Sequence, residues 1–138
     1  MKIGQIMKHN KFFMNVALFI TVMAFLVGCA GLPTPEEIAS ADHGSYPNNY
    51  EDIVKSYFAR ILKDPYSVRY ESISTPQRYW LANRLEGATY GYLVCVTLNA
   101  KNSYGAYIGY ETDALIIRNG VVVKYIAKGR WGEKIICY

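Results

Sequence analysis

Thr89-Tyr90-Gly91-Tyr92-Leu93-Val94-Cys95-Val96-Thr97-Leu98 is the stretch on which the fold turns. Tyr90, Tyr92, Val94, Val96 and Leu98 recur at every second position, and a two-residue period of aromatic and β-branched side chains is that of a strand with a buried face. A second long strand is expected over residues 104–117, and Asn119-Gly120 behind it has the composition of a two-residue hairpin turn. Residues 121–127 then pair back, and 135–138 offer a final short strand. Upstream, residues 67–73 read as a short strand with Val68 and Tyr70 opposed to Arg69 and Glu71. Between 75 and 87, Tyr79, Trp80 and Leu81 ask for burial while Gln77, Arg78, Asn83, Arg84 and Glu86 do not. A loop with an aromatic plug and an irregular edge strand both fit that segment.

Before the strands the period changes. Tyr50, Ile53, Val54, Tyr57, Phe58, Ile61 and Leu62 fall at helical spacing, with Glu51, Asp52, Lys55, Ser56, Arg60 and Lys63 on the other side. That is an amphipathic helix with a broad apolar stripe. Asn48 or Asn49 suits its N-cap, Glu51 and Asp52 suit the positive end of its dipole, and Asp64-Pro65 ends it. The stripe needs a surface to cover, and the strands supply one. The expected fold is α+β, one N-terminal amphipathic helix packed on a three- to five-stranded antiparallel sheet.

The first 28 of the 138 residues differ from the rest in composition: they hold all four Met, four of the five Phe, and no acidic residue. Lys8 and Lys11 precede an apolar run, 12–27, interrupted only by Asn15 and Thr21. A basic segment followed by such a run has the form of a secretion signal; Met7 can serve as the start as well as Met1. Sixteen residues fall short of the ~20 that span a bilayer as a helix, and no basic stop-transfer cluster follows.

The run closes on Leu26-Val27-Gly28-Cys29, which closely resembles the lipobox of bacterial lipoproteins. The resemblance covers residues 7–30. It implies that the Cys29 thiol receives a diacylglyceryl group, that the signal 1–28 is cut away, and that the new amino group is acylated. Several acyl chains give stable anchoring to a lipid bilayer where one is marginal. Residue 30 is Ala rather than Asp, which in Gram-negative lipoproteins implies the outer membrane, with the domain in the periplasm. Residues 29–47, punctuated by Pro33, Pro35 and Pro47, read as the lipidated cysteine and a flexible tether, in which His43 is a solvated residue. Residues 48–138 are then a single domain.

Of 15 basic side chains, Lys2, Lys8 and Lys11 leave with the signal, so 12 face 11 acidic ones. A nearly neutral domain lacks the dense cationic face of general nucleic-acid binding. Export also places Cys95 and Cys137 where disulfides persist. The expected bond between them closes a loop worth about 4 kcal/mol in the chain-entropy model. With no Cys-x-x-Cys and no nearby His, the pair fits redox or metal chemistry poorly, and no cofactor is expected.

Asn99-Ala100-Lys101-Asn102-Ser103-Tyr104-Gly105-Ala106-Tyr107-Ile108-Gly109-Tyr110 is the densest run of turn-forming and aromatic residues. It reads either as a hairpin connection or as a recognition edge carried by Asn99, Lys101, Asn102, Tyr104, Tyr107 and Tyr110. The segment also resembles small envelope lipoproteins of Gram-negative bacteria with similar Asn-Ala-Lys-Asn segments, a likeness over residues 50–125 that implies no activity. Glu111 and Asp113 share a strand face and are the best candidates for paired catalytic carboxylates; no base or metal set accompanies them. Arg118, Lys124, Lys128, Arg130 and Lys134 face only Glu133, a patch for anionic lipid or cell-wall ligands or simply solvated charge.

The expectation that follows is a non-catalytic interaction module binding another envelope protein through 99–110, with Trp80 and Trp131 as aromatic anchors. The alternatives are a binder of anionic cell-wall or lipid ligands through the basic segment, and an inhibitor or immunity factor against an envelope enzyme.

Overall fold

The period-two stretch lies at the centre of a sheet. A computed structural model describes residues 32–83, 85–131 and 134–137, with the backbone alone at 130, 131, 134 and 135. The expected signal 1–28 and Cys29 lie outside the described residues. Two helices, α1 (Pro35–Ser40) and α2 (Tyr50–Ile61), and a 3-10 turn at Pro65–Ser67 precede the strands. The strands are β1 (Arg69–Ile73), β2 (Gln77–Asn83), β3 (Gly87–Asn99), β4 (Glu111–Arg118) and β5 (Val121–Ile126). A 3-10 turn at Ala127–Gly129 leads to β6 (Arg130–Trp131) and β7 (Lys134–Ile135). A five-stranded antiparallel sheet with helices makes the fold α+β.

β3 is long enough to take two partners in succession on one edge. β1 pairs with its C-terminal half (Ile73 with Val96) and β2 with its N-terminal half (Gln77 with Leu93). Between them Pro76 has no N–H to give the ladder. The gap is closed by Ser74, whose N–H donates to the Cys95 carbonyl (2.8 Å) and whose hydroxyl accepts the Cys95 N–H (2.9 Å). β4 lies along the other edge of β3, and β5 beyond it. Asn119 (φ 50) and Gly120 (φ 78) make the two-residue turn between β4 and β5, with Arg118 opposite Val121.

Both faces of the sheet are covered. On one, Val54 and Phe58 of α2 pack on Val94, Val96, Leu98, Leu115 and Ile117. Burying a side chain of the size of Phe58 is worth about 1.5–3 kcal/mol. Its ring also meets Tyr70 and Tyr125 edge-on. On the other face, Leu81, Leu93, Ala114, Ile116 and Ile126 form a second core with Ile136 and Cys137 of the C-terminal segment. β3 and β4 touch so closely near Gly91 that a Cβ there would stand 2.6 Å from Ile116 Cγ2 and 2.7 Å from the Ile117 carbonyl oxygen.

Four expectations are corrected. The strand expected over 104–117 is confined to Glu111–Arg118, because Asn99 and Asn102 capture backbone N–H groups that a ladder would need. The described C-terminal strand is β7, which lies in a two-stranded sheet with β6 rather than in the main sheet, Arg130 opposite Ile135 and Trp131 opposite Lys134. Residues 77–83 form a regular edge strand. Asn49 stands at the N-cap of α2, but its side chain makes no capping bond.

The segment read as a tether is ordered beyond Leu32. Thr34 and Glu37 form a reciprocal capping box on α1. Asp42 then pairs with Arg118 (3.0 Å), and the Ser45 N–H donates to Asn119 Oδ1 (3.1 Å). His43 sets its ring edge-on to Tyr90, and Tyr46 to Tyr92. His43 is therefore a half-buried packing residue, held by aromatic contacts that a periodicity search over polar residues does not see.

Candidate functional site

The connection between β3 and β4 is built by its own side chains. Asn102 Oδ1 accepts the N–H groups of Tyr104 (2.9 Å) and Ala106 (3.1 Å). Its backbone N–H donates to the Ala106 carbonyl (2.9 Å), and its carbonyl accepts the Gly105 N–H (3.0 Å). One asparagine thus satisfies four groups of a turn, as the short amide side chain does where the chain reverses. At the base of the loop Asn99 Oδ1 accepts the Gly109 N–H (3.2 Å), and Lys101 and Tyr107 form an isolated β-bridge.

Tyr107 ties the loop to the rest of the molecule. Its hydroxyl donates to the Ser67 carbonyl (2.9 Å) in the 3-10 turn before β1. The Arg69 guanidinium carbon lies 4.3 Å from the ring centroid and the Lys101 Nζ 5.4 Å from it. The loop and the 3-10 turn it is tied to carry exposed large side chains, Tyr66 (101 %), Tyr104 (95 %), Ile108 (60 %) and Tyr110 (52 %), beside the exposed Arg69 and Ser103.

The six residues expected to form a contact edge therefore divide. Asn99, Asn102 and Tyr107 shape the loop, Tyr104 and Tyr110 are presented by it, and Lys101 lies at the Tyr107 ring. Tyr66, Arg69 and Ile108 join them and were not foreseen. Ile108 was within the quoted run, but Tyr66 and Arg69 are some 40 residues away along the chain, their segment brought to the loop by the pairing of Arg69 with Asn99 and by the Tyr107–Ser67 bond. Of the expected anchors, Trp80 is half-buried on β2 opposite Tyr90, and the Trp131 side chain is outside the described ones.

Glu111 and Asp113 have distinct surroundings. Asp113 is 7 % exposed; its Oδ2 accepts the Tyr125 hydroxyl (3.0 Å) and its Oδ1 the Lys128 N–H (2.7 Å). Glu111 pairs with Lys128 Nζ at 3.1 Å. Both carboxylates are thus engaged with the segment after β5, and Asp113 is a buried acceptor rather than the wet side of a strand. Burial pushes the Tyr125 phenol well above its ordinary range, and the Asp113 carboxylate beside it pushes the same way.

Cys95 and Cys137 form a disulfide, Cα to Cα 5.7 Å, joining the central strand to the C-terminal segment. The basic segment is largely neutralised: Arg118 pairs with Asp42, Lys124 with Glu86 and Lys128 with Glu111. The side chains of Arg130, Glu133 and Lys134 lie outside the described ones. A separate open groove of about 780 Å³ runs between α2 and β5, lined by Asp52, Ser56, Arg60, Val121 and Val122 among others. Among the described residues, no three His, Cys, Asp or Glu side chains gather as a metal site, and no helix is long and apolar enough to cross a membrane.

No family model, no curated protein and no solved structure matches this chain.

Proposed function

We propose that this chain is a lipid-anchored envelope lipoprotein whose folded unit is a non-catalytic protein-interaction module. In this reading an acylated Cys29 holds it at the periplasmic face of the outer membrane, and the β3–β4 loop contacts another envelope protein. The observation that carries the reading is the exposure of Tyr104, Ile108 and Tyr110 on a loop whose backbone is fixed by Asn99 and Asn102. Tyrosine offers large contact area with a polar end. A loop ordered before binding also loses less entropy when it docks than a mobile one.

The placement of the loop supports the same reading. Asp42 and Ser45, in the segment between α1 and α2, contact Arg118 and Asn119 at the C-terminal end of β4. The loop lies at the other end of β4, an eight-residue strand about 25 Å long. The contact surface is thus at the opposite end of β4 from the Asp42 and Ser45 contacts. The alternative, a binder of anionic polymers through the basic segment, loses support because Arg118, Lys124 and Lys128 are each paired. An inhibitor or immunity role would use the same loop and differ only in the partner.

The test has two parts. Metabolic palmitate labelling and fractionation of a Cys29→Ala variant are expected to show loss of both label and membrane retention; a retained variant would overturn the anchor. Cross-linking of a Tyr104→Ser, Ile108→Ser variant is expected to lose the partner that the unaltered protein holds. Retention of that partner would overturn the contact surface.

A further inference from the structure

Arg69 and Lys101 come from different elements, the start of β1 and the loop after β3, and each lies within cation–π range of one aromatic ring, at 4.3 Å and 5.4 Å from its centroid. That ring belongs to Tyr107, whose hydroxyl is fixed to the Ser67 carbonyl, so the surface under the two cations is a held one. Attraction between a cation and a tyrosine face orients the cation without neutralising it. Among the described residues neither Arg69 nor Lys101 forms an ion pair, a state shared with Arg60, Lys63 and Arg78, whereas Lys55, Arg118, Lys124 and Lys128 do. Residues 99–110 contain no carboxylate, and the first one after them, Glu111, is taken by Lys128.

We propose that Arg69 and Lys101, held against Tyr107, form a carboxylate-binding site for an acidic segment of the protein partner. The proposal rests on the reading of the β3–β4 loop as a contact surface and names the chemistry of what it contacts. A planar guanidinium takes a carboxylate through two parallel hydrogen bonds, and an ammonium beside it adds a point charge. The surroundings favour a protein over a polyanion. A membrane or nucleic-acid surface is held by a row of cations, and here there are two, on segments that also carry the exposed Tyr66, Tyr104, Ile108 and Tyr110. Aromatic residues and arginine around a small charged centre are the composition of a protein interface core.

The full-length protein in detergent is titrated with a fluorescein-labelled synthetic peptide of alternating glutamate and tyrosine, read by anisotropy. Binding is expected, weakened about tenfold or more by Arg69→Gln with Lys101→Gln, and weakened again in about 0.5 M salt. The reversed pair, Arg69→Glu with Lys101→Glu, is expected to bind the corresponding lysine–tyrosine peptide instead, a gain that misfolding cannot produce. Absence of binding, indifference to the neutralising pair, or equal displacement by inorganic phosphate or by cell-wall fragments overturns the proposal. A partner cross-linked in cells through Tyr104 and unaffected by the neutralising pair would overturn the acidic segment alone. Absence of any such partner would overturn the contact surface as well.

Discussion

Gly129 lies against Cys137: a Cβ on the glycine would stand 2.8 Å from the Cys137 Cβ and 3.4 Å from its sulfur. The glycine also has φ +53, a conformation that L side chains adopt at a cost. It ends the turn that returns the chain over the second sheet face, where the Ile136 N–H donates to the Gly129 carbonyl (2.8 Å). Gly129→Ala is expected to destabilise the domain by about 1–3 kcal/mol through combined strain and overlap. Urea unfolding with the disulfide intact measures it, and an unchanged midpoint would contradict this account of the turn.

Cys95–Cys137 closes a loop of 42 residues in sequence separation. Replacing both cysteines with serine is expected to lower stability by about 2–4 kcal/mol, a large share of the ~5–15 kcal/mol typical of a small domain. The C-terminal segment is expected to lose amide protection first, since Ile136 and Cys137 reach the second core only at the end of the chain. Hydrogen exchange of the reduced and oxidised forms compares the two states directly.

Asp113 serves the same turn from the other side. Asp113→Ala removes the acceptor of both the Tyr125 hydroxyl and the Lys128 N–H. The expected loss is about 0.5–1.5 kcal/mol for each bond removed, since water can reach donors on the exposed Tyr125 and Lys128. Tyr125→Phe removes one of the two bonds and leaves the Lys128 N–H bond to hold Asp113, so it is expected to cost less. Equal losses in the two variants would argue against the role given to the Lys128 bond.

The domain is expected to weaken in alkali. Burial raises the Tyr57, Tyr70 and Tyr125 phenols above the ordinary value of 10.0, with Asp113 reinforcing the shift at Tyr125. The folded state therefore holds these protons more tightly than the unfolded chain. Their contribution to stability is complete below pH 10, and is lost as pH rises from there toward the folded values. Denaturant midpoints falling above pH 10, with a shallower fall in Tyr125→Phe, check this. Ultraviolet titration of the native protein is expected to show delayed phenolate formation.

Much of the frame was legible in the sequence because its signals are periodic. Tyr92, Val94, Val96 and Leu98 announced the central strand, and Asn119-Gly120 announced the turn through two residues that accept positive φ. The second core was not legible. Leu93 reads as the polar-side neighbour of Val94 until the C-terminal segment is seen to cover it. The ordered entry segment escaped for a related reason: Asp42, His43 and Tyr46 are held by single contacts to Arg118, Tyr90 and Tyr92, which leave no period. At the candidate site, Asn99 and Asn102 were noticed for their residue type, but their task within the loop is local geometry. Tyr66 and Arg69 carried no signal of their own, since it is the pairing of β1 with β3, Arg69 opposite Asn99, and the Tyr107–Ser67 bond that bring their segment to the loop.

The most direct test of the interaction module is site-specific photo-cross-linking in living cells, with the reactive group placed at Tyr104. The control position is Leu85, equally exposed at 97 % on the turn between β2 and β3. One dominant protein adduct from position 104, absent from position 85, is the expected result. No adduct from 104, or the same adducts from both positions, would contradict the assignment of the β3–β4 loop as the contact surface.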